Sequence, residues 1–276
     1  MYSKKIIVFG ATGYIGKHLI PALIKNKYKV TVLARSFKDI KNFKWFVKIN
    51  YINFNLNNLN INFNKISKNS TIIYLAWEGL PNYNSPDQLK KNVLIHYKFI
   101  KELLQKRKIK NLIVTGTCQE YGMKKGLQKV NEKANPVTNY GLAKVRLYKK
   151  ISNLQKSYTF NFKWLRLYYS YGKWQNKNSI FSQLRLSIRN KEKYFKMSKG
   201  DQMIDYLPIS KMVKKILLVI EKKNNGIFNV CSGKPIKLKD LVKKYIKKRK
   251  SIIKLRLGYY SYLKYEPKYF WGENNI

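Results

Sequence analysis

Tyr140 and Lys144 stand one helical turn apart, so on a helix their side chains emerge on the same face. A lysine ammonium beside a phenol favours the phenolate and draws its pKa down from about 10 toward the working range. Such a phenol can exchange a proton with a carbonyl or an alcohol. Spacing alone decides nothing in this chain, because Tyr97/Lys101, Tyr121/Lys125, Tyr169/Lys173 and Tyr260/Lys264 repeat it. Position discriminates. Only Tyr140 opens a helical stretch that follows a strand ending in a hydroxyl-rich turn, Thr115-Gly116-Thr117.

A second chemical signal lies near the start of the chain. Gly10-Ala11-Thr12-Gly13-Tyr14-Ile15-Gly16 follows an apolar run at 6–9, and helical spacing then continues to about residue 27. Another apolar run, 28–34, completes a strand–helix–strand unit. Three glycines alone would also describe an ordinary strand–helix turn, but the flanking strands favour a dinucleotide site. There Gly10 permits the tight turn, Gly13 lets backbone approach a pyrophosphate, and Gly16 lets the helix pack on its strand. Backbone N–H groups at the helix start bind the anion. The candidate cofactor contacts are Gly10, Thr12, Gly13, Tyr14, Ile15 and Gly16. To these we add Asn55, Leu56, Leu75, Ala76, Trp77, Asn92, Thr115 and Lys144. The second strand ends in Leu33-Ala34-Arg35-Ser36, where an NAD site would carry a carboxylate for the ribose 2′-hydroxyl, and the first acid is Asp39. Arginine pairs with a 2′-phosphate, so Arg35 favours NADP(H) over NAD(H). A solvated loop cation is the alternative reading of Arg35.

The elements that must position these groups follow from periodicity. Strand-like runs at 47–54, 71–76, 111–115 and 162–167 alternate with helical spacing at 88–106 and 140–154. This alternation predicts an α/β protein, a Rossmann-type doubly wound parallel sheet covered by helices on both faces. We expect a dinucleotide-binding domain over 1–168 and a smaller C-terminal substrate-binding lobe over 169–276. Part of that lobe, about 205–232, is expected to return to the sheet. The chain has 276 residues, enough to bury a large core.

Composition narrows the function classes. The net charge of +45 would suit nucleic acid or an anionic membrane, but the lysines are spread along the chain. The densest run, Lys247-Lys248-Arg249-Lys250, reads as the solvated end of a helix starting near Lys239. We therefore expect no nucleic-acid partner and no membrane partner. Cys118 and Cys231 are the only cysteines, so neither a disulfide framework nor a metal site is expected. The first residues lead into a strand without a targeting pattern, and we expect a cytoplasmic protein.

Together these motifs resemble the extended short-chain dehydrogenase/reductase family, which includes nucleotide-sugar epimerases, dehydratases and reductases. The resemblance covers nearly the whole chain. It rests on Gly10, Gly13 and Gly16, on Thr115 to Gly122, on Tyr140 with Lys144, and on Leu165-Arg166-Leu167 leading to Tyr171-Gly172. It implies that Tyr140 is the proton donor and that Lys144 tunes it and holds the nicotinamide ribose. Thr117 would hydrogen-bond the reacting oxygen, and Asn92 matches an asparagine of mainly structural use. Dehydratases of the family place Asp-Glu after the catalytic threonine; Cys118 and Gln119 stand there and count against that branch. Tyr168-Tyr169-Ser170-Tyr171-Gly172 in place of Phe-Asn-Val-Tyr-Gly counts moderately against an epimerase.

Residues 75–83, 116–122, 205–208 and Tyr265-Glu266-Pro267 look like the branch that reduces dTDP-4-keto-6-deoxyhexoses for surface polysaccharide, the dTDP-fucose-forming reductases in particular. The expected reaction is NADPH-dependent reduction of the sugar C4 ketone. A nucleotide-sugar 4-epimerase, a CDP-linked deoxysugar reductase and a non-catalytic dinucleotide-binding regulator are the alternatives. Candidate substrate contacts are Trp77, Glu78, Asn82, Cys118, Gln119, Tyr168, Asn178 and Phe181. One departure stands out: Ile204 replaces the arginine common before Asp205, which removes a diphosphate contact. Relatives commonly dimerise through helices equivalent to 88–106 and 140–156; here those helices carry much positive charge, which weakens a homodimer.

Overall fold

The computed structural model describes residues 4–58 and 61–276. The expected start without a targeting pattern falls partly on residues 1–3, outside the described residues.

The chain begins with β1 (Lys5–Phe9), α1 (Tyr14–Lys25), β2 (Lys29–Ala34), a single-turn α2 (Lys38–Lys41), β3 (Asn50–Asn53) and β4 (Thr71–Tyr74). Then come α3 (Val93–Lys106), β5 (Asn111–Thr117), β6 (Gly126–Gln128), α4 (Asn139–Leu154) and β7 (Asn161–Leu167). Seven strands form one parallel sheet in the order β12-β7-β5-β4-β1-β2-β3, where β12 is Gly226–Val230. Strand order reverses between β1 and β4, and ligands of open α/β sheets bind where such strands end. The expected doubly wound sheet is what forms.

Both faces of the sheet are buried, which explains why its strands read as nearly continuous apolar runs. On one face Ile6, Val8, Val30 and Val32 pack with Leu19, Ile20 and Leu23 of α1 and with Met212, Val213 and Ile216. On the other, Ile7, Phe9, Ile72 and Val114 pack with Phe99, Ile100 and Leu103 of α3 and with Leu147 and Ile151 of α4. The strand expected over 47–54 is shorter, because Phe46–Lys48 forms a helical turn that leaves Val47 exposed. The helix expected from residue 88 begins with an over-wide π-type turn, Gln88–Asn92, before α3.

Beyond β7 the chain builds β8 (Tyr169–Tyr171), α5 (Ile180–Arg189), β9 (Tyr194–Lys196), β10 (Met203–Ile204), β11 (Tyr206–Pro208) and α6 (Ile209–Glu221). After β12 follow β13 (Ile236–Lys237), α7 (Leu238–Lys248), β14 (Lys254–Arg256) and β15 (Tyr269–Gly272). Helix α6 covers the main sheet, whereas α5 and α7 enclose a separate cluster of Phe181, Leu184, Leu241, Val242 and Ile246. A small sheet, β13-β10-β15-β6, ties this region back to the segment after β5.

Among the described residues two lysines are buried, Lys144 and Lys163. Lys163 of β7 points its Nζ at the carbonyls of Val219 (2.8 Å) and Ile220 (3.4 Å) and also at that of Lys222. The last carbonyls of a helix lack intrahelical partners and carry partial negative charge, so the ammonium caps α6 from within the sheet. Burial, then the charge of Lys222, pulls the pKa of Lys163 down. Lys163→Met keeps the stem and strands those carbonyls. We expect a loss of about 2 kcal/mol of stability, measured by denaturant unfolding.

Candidate active site

The glycine turn forms where the strand order reverses. Gly10 has φ +81°, and a Cβ there would lie 2.8 Å from the backbone nitrogen of Ala76. A Cβ at Gly16 would lie 2.5 Å from two carbonyl oxygens of the turn, so the start of α1 is held tightly against β1. Gly13 is exposed at the helix start, with no side-chain cap and no acid in the first turn. The N–H groups there lack intrahelical partners and stay open to an anion, which fits a dinucleotide pyrophosphate. Thr12, Tyr14 and Ile15 belong to the same turn, and Leu75 and Ala76 lie against it, with the Leu75 amide donating to the Phe9 carbonyl at 3.0 Å. Asn55 follows β3 and accepts from the Asn57 amide (3.1 Å), while Leu56 is buried in the core.

The acid–base groups converge at the end of β5. Tyr140 sits in the first turn of α4, whose N-cap Thr138 accepts from the Gly141 amide at 3.1 Å. The Gln119 side chain accepts from the Thr138 hydroxyl at 2.9 Å, and the Tyr140 amide donates to the Tyr83 carbonyl at 2.8 Å. The Thr117 side chain lies near enough to the Tyr140 phenol to act on it, while its hydroxyl accepts from the Gln119 amide at 3.3 Å. Lys144, one turn on, is buried and donates to the carbonyl of Thr115 at 2.8 Å.

The electrostatics differ from the expected effect of lysine on tyrosine. Burial, helped by Tyr83, Glu120 and Cys118, pushes the Tyr140 phenol far up, against a smaller lowering effect of Thr117. Burial brings Lys144 down to about 7 against the raising charge of Glu120. Its ammonium is 5.8 Å from the Tyr140 ring centroid and 3.7 Å from that of Trp77. In this state the phenol is a held proton donor rather than a phenolate.

Glu120 organises the strand end. Its carboxylate accepts from the Thr117 amide (2.8 Å), the Trp164 indole (3.0 Å) and the Arg166 Nε (2.9 Å), and both partners of the ion pair are buried. Arg166 also lies over the Tyr121 ring at 4.3 Å.

The loop after β4 carries the other candidates. Trp77 donates its indole N–H to Gln88 Oε1 at 2.7 Å, and Asn92 donates to the Glu78 carbonyl at 3.1 Å. Glu78 faces Arg35, with Nη1 3.6 Å from Oε1, and Asn82 is exposed. Gln88 and His96 were not singled out from the sequence. The available signal was a polar side chain at each of two positions on the apolar stripe of 88–106.

Two expected substrate contacts are displaced into the core. Tyr168 is buried and stacks on Phe270 at 5.5 Å, and Phe181 is buried and stacks on Tyr171 at 4.6 Å. Neither can touch a ligand, because each follows the strand or helix periodicity inward. Asn178 is exposed in the loop before α5. Cys118 and Gln119 line a small cavity with Thr138, Tyr169, Tyr265 and Pro267. Burial pushes the Cys118 thiol up, so it stays neutral. Ile204 is buried in β10, and Asp205 beside it accepts from the amides of Ser232 (2.7 Å) and Gly233 (2.8 Å).

Residues 6–231 match the model of the NAD dependent epimerase/dehydratase family. The chain belongs to that family. It is 29% identical, over 97% of its length and 98% of the relative's, to dTDP-6-deoxy-L-talose 4-dehydrogenase (NAD(+)) of Aggregatibacter actinomycetemcomitans. Its fold matches the UDP-N-acetylglucosamine 4-epimerase of Methanobrevibacter ruminantium M1, solved with UDP-N-acetylmuramic acid, with TM-score 0.83 and 21% identity. That match covers 100% of this chain and 91% of the other. A UDP-glucuronic acid 4-epimerase of Bacillus cereus, solved with UDP-glucuronic acid and NAD, matches with TM-score 0.83 and 20% identity over 98% and 90%. The family member is thus an oxidoreductase-type enzyme acting on a nucleotide sugar. Among the described residues no helix is long and apolar enough to cross a membrane.

These relatives correct the expected cofactor. The talose dehydrogenase is named for NAD(+) and the epimerase structure holds NAD, so NAD is indicated and the expected preference for NADP(H) is overturned. Arg35 does not lie alone at the strand end: the carboxylate of Glu78 stands beside it. The sequence motif saw the arginine but not the acid, which arrives from the loop after β4.

Arg166→Met leaves the Glu120 carboxylate buried without its cation. We expect a loss of about 3–5 kcal/mol in denaturant unfolding, far beyond that of a surface arginine.

Proposed function

We propose that the chain catalyses NAD-linked interconversion of the C4 hydroxyl and C4 ketone of a dTDP-6-deoxyhexose. The observation that carries this reading is the convergence of buried Tyr140, Thr117 and Lys144 at the end of β5, with Lys144 donating to the Thr115 carbonyl at 2.8 Å. The 97% coverage of this chain by a match to a dTDP-6-deoxy-L-talose 4-dehydrogenase supports the choice of sugar.

The glycine turn and the open N–H groups of α1 would hold the pyrophosphate, and Lys144 would turn from the Thr115 carbonyl to a ribose hydroxyl. When bound, the nicotinamide supplies a hydride acceptor or donor. Thr117 orients the sugar C4 oxygen. Tyr140 gives that oxygen a proton in reduction and takes it back in oxidation. Closeness to the ammonium stabilises the phenolate left behind. Cys118, Gln119, Thr138, Tyr169 and Tyr265 form one wall for the sugar. Glu266 stands between two of the cavity's lining residues, Tyr265 and Pro267, where its carboxyl could bond sugar hydroxyls.

Tyr140→Phe removes the proton and little volume. With NADH and a dTDP-4-keto-6-deoxyhexose we expect at least a ~1000-fold fall in turnover. NADH affinity, measured by fluorescence titration, should be unchanged. Substantial turnover in the variant refutes the assignment of Tyr140. A 4-epimerase would show C4 inversion with no net change in NADH.

A further inference from the structure

We propose that Trp77 is the positioning residue for the Lys144 ammonium, holding it by its ring face while Gln88 and His96 hold the indole. The proposal rests on the reading above only in taking Lys144 to work as an ammonium.

A buried ammonium has three donors to satisfy. One goes to the Thr115 carbonyl, and Lys144 takes part in no ion pair among the described residues. The ammonium also stands over the Trp77 ring, 3.7 Å from Nζ to the centroid. Indole is the strongest neutral partner for a cation, and the attraction grows when water is excluded. The titratable groups around Lys144 are Tyr140 on its own helix, Glu120 from the turn after β5 and His96 from α3.

The indole is itself gripped at edge and face. Gln88 is buried and uses its whole amide: Oε1 accepts from Trp77 (2.7 Å) and Asn92 (3.1 Å), while Nε2 donates to the carbonyls of Asn82 (3.1 Å) and Gly79 (3.4 Å). His96 lies parallel to the indole, with centroids 4.6 Å apart and planes 7° apart, and its Nδ1 is 2.6 Å from the Tyr74 hydroxyl. Burial, then Lys144, brings His96 down to about 3, so the stacked imidazole is neutral and does not oppose the cation. Four elements therefore fix one ring: β4 through Tyr74, the loop after it, the π-type turn through Gln88, and α3 through His96. The Trp77 edge also meets the Tyr140 ring at 5.9 Å.

The test is the titration of Lys144 in the full chain labelled with 13Cε-lysine, its resonance identified by its loss in Lys144→Met. In Trp77→Leu the midpoint should fall by about one pH unit, a tenfold rise in the acid dissociation constant. In Trp77→Phe, which keeps a ring face, it should fall by less than half as much. The sign separates the roles. If the indole merely fills space, the smaller side chain admits water and the midpoint rises toward the ordinary lysine value. A midpoint that rises or stays put in Trp77→Leu overturns the proposal. If that variant does not fold, Gln88→Leu frees the indole N–H, and the same fall is expected and the same rise or constancy is fatal. The titration needs no substrate, so failure to turn over a dTDP-sugar would sink the functional reading and leave this result standing.

Discussion

A single carboxylate, Glu120, joins the pieces on which the site depends. It is shut away from water, where an unpaired charge would be strongly destabilising, and three donors converge on it: the Thr117 amide, the Trp164 indole and the Arg166 guanidinium. The first fixes the end of β5, and the other two come from β7 beside it. The same charge acts outward, offsetting part of the fall that burial gives Lys144 and adding to the rise of Tyr140. A negative charge at this point opposes early loss of the phenol proton while keeping the lysine charged, which suits a donor that must release its proton only to a reacting oxygen.

A chain with 58 basic and 13 acidic residues would be expected to keep its lysines in water. Two do not. Lys163 closes the end of α6, and Lys144 faces the Thr115 carbonyl and the Trp77 ring. Lys163 is held by backbone carbonyls, and Lys144 by a carbonyl and an aromatic face, with the Glu120 carboxylate acting on it without an ion pair. That choice leaves Lys144 free of a permanent ion pair, and so able to change partner when a ribose hydroxyl is offered.

The sheet and its helices were legible because β1, β2, β4, β5 and β7 are apolar on both faces and the intervening helices repeat every three to four residues. Gly10 to Gly16, Thr117, Tyr140 and Lys144 could be read because strand ends and helix starts place them by rule. What could not be read came from contacts between distant segments. The Glu78 carboxylate beside Arg35 reaches it from the loop after β4, and reading Arg35 without it led to the wrong cofactor. Tyr168 stands at a strand end and Phe181 at a helix start, where ligand contacts are expected, yet their side chains turn into the core. Gln88 and His96 interrupt an apolar stripe, and only the folded loop shows that one grips the Trp77 edge and the other its face.

The proposed reaction passes hydride between dinucleotide and sugar C4 with Tyr140 handling the proton. The most direct measurement supplies nicotinamide deuterated at C4 in the reduced form, together with a dTDP-4-keto-6-deoxyhexose, and reads the product by NMR. The account predicts one deuterium at sugar C4 and a matching loss of reduced NAD, both abolished in Tyr140→Phe. A product changed at C4 without deuterium, or deuterium at another carbon, would contradict it.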